Sequence, residues 1–120
     1  MEDNINGNII WTDKKRPLFG LPLSFTRYTL YTEKLVTDTG IIMRRQEEVR
    51  LYRIVDFSLR QSIFQRIFNI GTIHCYSADN SQIEFDIKSV KDPYKIKDLM
   101  SDLVERERTR KGVIAGEYIN

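Results

Sequence analysis

The sequence predicts a small, mainly β domain that ends in one amphipathic helix. Three observations carry that prediction. Ile83, Phe85 and Ile87 alternate with Glu84, Asp86 and Lys88, the period of a strand with one buried and one wet face. Asp92 and Pro93 open a segment in which Ile96, Leu99, Met100, Leu103 and Val104 recur three and four apart, the spacing of a helix with one apolar face. Between them in importance is the run Val55 to Tyr76, VDFSLRQSIFQRIFNIGTIHCY, which changes rhythm twice: strand, compact apolar turn, returning strand.

Taken in order, residues 1–8 are polar and read as a loose arm. Ile9, Ile10 and Trp11 form a small apolar cluster that tacks the arm to the body. Trp11 reads either as packing at the rim of the core or as an interface or membrane-surface anchor. Lys14, Lys15 and Arg16 run into Pro17, with Gly20 and Pro22 close behind, so a loop with three positive charges is expected. Ser24 to Tyr31 reads as a strand with Tyr28 and Leu30 on one face, and Leu35 to Asp38 as its partner. Thr39 and Gly40 turn the chain into a third strand from Ile41 to Arg45. Val49 and Leu51 extend the apolar face, but the alternation slips before Val55, so a bulge or break is expected at Tyr52 to Ile54.

Val55, Phe57 and Leu59 are then expected inward. Ile63, Phe64, Ile67 and Phe68 follow as a hydrophobic plug pressed into the core, and Thr72 to Ser77 returns as a strand with Ile73 and Cys75 buried. Asp92 is expected to cap the final helix with its side chain, Pro93 suits the first helical position and Gly112 stops it. Residues 9–112 thus make the domain. Residues 113–120 are a tail whose Val113, Ile114, Tyr118 and Ile119 have no evident partner.

A chain of 120 residues buries about two-thirds of its unfolded surface and needs no disulfide or metal to fold. The single cysteine, Cys75, falls on a buried strand face and fits a reducing, cytoplasmic setting. A net charge of +2 is too small to announce a nucleic-acid partner. No apolar run approaches the roughly 18 residues of a membrane span, and the acidic, polar start differs from a signal peptide. Residence in the cytoplasm is therefore expected, at most peripheral to the inner membrane surface.

His74 and Cys75 are the only residues of their kinds and, being adjacent on a strand, point to opposite faces, which argues against a metal centre or a local nucleophilic pair. Glu84 and Asp86 share a strand face, but the wet one, where solvated carboxylates belong; Glu47 and Glu48 are the other acidic pair. Neither a phosphate loop nor a dinucleotide fingerprint occurs. No catalytic activity and no cofactor are expected. Further basic clusters are Arg44, Arg45, Arg50 and Arg53, and Arg106, Arg108, Arg110 and Lys111. The last offsets a helix dipole and interleaves with Glu105 and Glu107.

Individual residues also look familiar. Arg16 and Pro17, then Tyr28, Leu30, Thr32 and Leu35 of the first hairpin, Gly40, and Arg53-Ile54-x-Asp56 lead into Gln61-Ser62-x-x-Gln65-Arg66-x-x-x-Ile70-Gly71-Thr72-Ile73 and Asp92-Pro93. Across residues 9–110 this pattern resembles the bacterial pleckstrin-homology (PH) domain family. The resemblance implies an α+β, mainly β roll or barrel: two near-orthogonal antiparallel sheets of about seven strands, capped by one C-terminal helix. It brings no catalytic residues. Nor does it transfer phosphoinositide binding, because the first hairpin turn, Thr32-Glu33-Lys34, holds one cation beside one anion.

Two readings of function follow. In the first, the chain is a non-catalytic binding or scaffold module for a protein partner or for its own copies, with the tail at Val113, Ile114, Tyr118 and Ile119 as a candidate added strand. In the second, it is a weak peripheral adaptor for anionic lipid through Lys14, Lys15, Arg16 and Trp11.

Overall fold

The computed structural model describes residues 8–17, 24–78 and 84–112. Residues 1–7 of the N-terminal arm, Gly20, Pro22, Ile83 and the whole tail, with Val113, Ile114, Tyr118 and Ile119, lie outside the described residues. Strands β1 (Ile9–Lys14), β2 (Arg27–Tyr31), β3 (Lys34–Thr39) and β4 (Arg45–Arg50) form one antiparallel sheet in that order. A 3-10 turn over Leu51–Arg53 leads to β5 (Ile54–Arg60), which with β6 (Ile70–Ser77) and β7 (Glu84–Lys91) makes a second antiparallel sheet. Helix α1 (Ile63–Ile67) joins β5 to β6, and helix α2 (Pro93–Arg110) follows β7. Among the described residues the two sheets do not close into a barrel.

The inner faces follow from period two. Tyr28, Leu30, Leu35 and Val49 of the first sheet meet Ile54, Ile73, Cys75, Ile87 and Val90 of the second, with Leu51 at the corner. Helix α2 covers this core with Ile96, Met100, Leu103 and Val104, packing on the 3-10 turn, β5 and β6. Non-directional burial of this kind contributes roughly 1.5–3 kcal/mol for each large apolar side chain taken fully out of water.

Two glycines are fixed by geometry. Gly40 sits at φ +93°, and a Cβ there would lie 2.2 Å from the Met43 carbonyl oxygen. A Cβ on Gly71 would come within 2.9 Å of Pro93 Cγ and 3.2 Å of the Arg60 carbonyl oxygen, so α2 docks against β6 only because that position is bare.

Several expectations are corrected. The third strand begins at Arg45, and Ile41, Ile42 and Met43 stand exposed in the preceding turn; tight turn geometry at Gly40 overrides their β-propensity. Residues Ile9–Lys14 are a full strand paired with β2. The break expected at Tyr52 to Ile54 is present as the 3-10 turn Leu51–Arg53, followed by a register shift between Ile54 and Asp56. That shift puts Ile54 inside and leaves Val55 exposed, while Phe57 and Leu59 stay half-buried against the core. Asp92 takes a left-handed conformation, φ 50°, and makes no side-chain cap. Its carboxylate instead accepts from the Asn69 amide group, so the turn from β7 into α2 is made in one residue and tied to the residue just before β6. Pro93 does open the helix, and Gly112, at φ +70°, follows its end. Glu107 is buried, not a surface partner: its carboxylate accepts two hydrogen bonds from Arg110 at 2.9 and 3.1 Å.

The largest correction concerns the plug. Ile63, Phe64 and Ile67 are 75%, 76% and 70% exposed, and Phe68 is 38% exposed. None of the five residues of α1 is buried.

Candidate functional site

The outward turn of α1 has a local cause. Ser62 Oγ accepts from the Gln65 backbone N–H at 3.1 Å, and Gln65 Oε1 accepts from the Ser62 N–H at 3.0 Å, a reciprocal capping box that closes the first turn. Gln61 Nε2 donates to the Ile70 carbonyl at 2.8 Å and Gln65 Nε2 reaches Ser89 Oγ at 3.5 Å. The polar side of α1 is thereby fastened to β6 and β7, and helical geometry sends Ile63, Phe64 and Ile67 the other way.

Beside this fastening the chain shapes a groove of about 550 Å³, open to solvent, between the end of β1, the end of β5, α1 and β7. Lys15 reaches it because its neighbours are pinned. Asp13, buried, accepts from Arg16 Nη2 at 2.9 Å and from the Lys91 backbone N–H at 3.0 Å, and the Arg16 N–H donates to the Ser89 carbonyl at 2.7 Å. Lys15 lines the groove with Arg60 of β5 and Lys88 of β7; Ser62, Gln65, Thr72 and Ser89 supply polar groups and Asp86 the carboxylate. Arg60 Nη2 lies 3.2 Å from Asp86 Oδ2. Lys15 and Lys88 have no ion-pair partner among the described residues.

The other face of Asp86 meets His74. Its Nδ1 contacts Asp86 Oδ1, and its Nε2 lies 2.8 Å from Glu84 Oε1. The hydrogen bonds to Asp86 and then Glu84 hold the imidazole pKa above its usual value. Tyr76 packs edge-on against the same ring, 4.7 Å between centroids. Burial pushes up the Cys75 thiol on the opposite strand face and, with a hydrogen bond from the Lys88 N–H at 2.8 Å opposing it, the Tyr28 hydroxyl as well.

Of the residues singled out beforehand, Trp11 is half-buried and packed on the core, Lys14 is half-buried at the end of β1, and Arg16 is engaged with Asp13. Only Lys15 of that set lines the groove. The other basic clusters sit beside carboxylates: Arg44 near Asp38, Arg45 near Glu47, Arg50 near Glu33 and Glu48, and Arg110 near Glu33 and Glu107. Sequence reasoning missed Arg60 and Lys88 as groove residues, since period two marks them only as wet-face positions. Among the described residues no cluster of His, Cys, Asp and Glu could hold a metal ion, and no helix is long and apolar enough to cross a membrane.

A family model described as a bacterial PH domain matches residues 20–104. No curated protein matches the chain, and no solved structure does.

Proposed function

Since the chain belongs to the bacterial PH domain family, whose fold generally serves non-catalytic binding, we propose that it is a scaffold module that joins protein partners, its own copies among them, through the apolar ridge of α1. The observation that carries this reading is the exposure of Ile63, Phe64 and Ile67 on a helix whose polar side is tied down. Large apolar groups clustered on a surface mark a place of contact, and aromatic residues anchor such contacts. Light scattering on the chain across a wide concentration range tests it. Concentration-dependent association that Phe64→Asp abolishes is the expected result; a wild-type monomer throughout overturns self-association.

A second reading, adsorption to an anionic membrane surface, is favoured by Lys15 and Lys88, which line the groove beside α1 and have no ion-pair partner among the described residues. Each such cation contributes about 1 kcal/mol near an anionic surface, and inserted Phe and Ile side chains would add to it. Co-sedimentation with phosphatidylglycerol vesicles at low and physiological salt tests this reading, and equal recovery with neutral phosphatidylcholine vesicles would refute it. In this reading Arg16 and Trp11 hold the β1 end in shape, and Lys15 makes the contact.

A further inference from the structure

We infer that the groove between β1, β5, β7 and α1 is a binding site for a phosphate group. Three cations, Lys15, Arg60 and Lys88, reach it from three separate elements, against one carboxylate, Asp86. That carboxylate is already engaged by Arg60 and by His74. The two lysines lack ion-pair partners among the described residues. Like charges brought together at one concave wall repel, and an oxyanion relieves that repulsion.

The donor set fits a tetrahedral oxyanion better than a planar carboxylate. The lysines are compact point charges with rotatable donors, and the hydroxyls of Ser62 and Ser89 border the same space. At about 550 Å³ and open to solvent, the groove takes a phosphate carried on a larger body. Lys15 and Lys88 also border a second hollow of about 240 Å³ that contains Glu47, so the two lysines stand on the wall between the hollows. The site stands on this cluster alone and requires no contact with the α1 ridge.

The test is a nuclear magnetic resonance titration of the full chain with inorganic phosphate at constant ionic strength, with chloride as the control. Phosphate is expected to shift the amide signals of Lys15, Gln65, Lys88 and Ser89 saturably, and chloride is not. The double variant Lys15→Gln, Lys88→Gln is expected to weaken phosphate binding at least tenfold, while Lys14→Gln, half-buried outside the groove, leaves it within twofold. A second arm uses phosphatidylcholine vesicles with and without phosphatidic acid. Vesicle binding that the double variant abolishes identifies a lipid headgroup as the source of the phosphate; phosphate shifts without vesicle binding identify a soluble phosphate ester. Both results support the site. Absence of groove shifts with either probe, or shifts that persist unchanged in the double variant, overturns it. Failure of the α1 reading shows instead as a loss of association on Phe64 substitution that never appears, with phosphate binding intact.

Discussion

Helices α1 and α2 carry the same sequence signal and do opposite things with it. In α2, apolar residues three and four apart lie against the core and Ile96, Met100, Leu103 and Val104 are buried. In α1, Ile63 and Ile67 are also four apart, yet both face solvent. Spacing reports that a stripe exists, not which surface receives it. What decides is where the polar neighbours are fastened: Gln61 and Gln65 bond to β6 and β7, and the stripe is displaced outward. With five residues, α1 is too short to be stable on its own, so these fastenings also hold it together.

The comparison is sharpened first by removing one side chain from the buried stripe. Met100→Ala should cost about 2–5 kcal/mol, the range for a fully buried side chain of that size, read as a lower urea midpoint with an unchanged slope. Next comes the docking of α2: Gly71→Ala forces a methyl against Pro93 and the Arg60 carbonyl and should cost about 1–3 kcal/mol. A near-wild-type midpoint would mean that α2 can shift without loss.

The wet face of the second sheet gives a smaller, pH-dependent effect. The folded-state pKa of His74 is raised by Asp86 and Glu84, so its contribution is fully present below the unfolded value of about 6.5 and fades as pH rises through the folded value. Arg60 competes for Asp86, and Tyr76 flanks the ring. Urea melts of His74→Gln should therefore fall furthest below wild type at pH values under the unfolded value of about 6.5 and converge with it as pH rises through the raised folded value. A gap independent of pH would remove the ion pairs from the account. Smallest of all, Phe64→Ser on the exposed stripe should leave stability within about 0.5 kcal/mol. A large loss there would mean the ridge packs on something within the chain and would break the contrast between the helices.

Much of the fold was legible because burial imposes period two and period 3.6 on residues such as Tyr28, Leu30, Ile73, Cys75, Ile87 and Met100, all of which are buried. β1 was not, because its one fully buried residue is a charged one, Asp13, and its apolar start, Ile9 and Ile10, is exposed. Ile41 to Met43 looked like a strand because β-propensity is local, whereas the turn at Gly40 is set by a contact with Met43. Val55 was misplaced by one register step at a bulge. The groove was the least legible part. Lys15, Arg60 and Lys88 are distant in sequence and meet only after the two sheets pack, and no local pattern encodes that meeting.

The joint between the sheets is of a different kind from the ladders within them. Across it, the Tyr28 hydroxyl accepts from the Lys88 N–H and the Asp13 carboxylate from the Lys91 N–H, side-chain latches in place of a run of paired backbone groups. Such a joint can breathe while both ladders stay intact. The Lys88 and Lys91 amides are therefore expected to exchange their hydrogens through opening of the seam and not through global unfolding, next to the groove that Lys15 and Lys88 line.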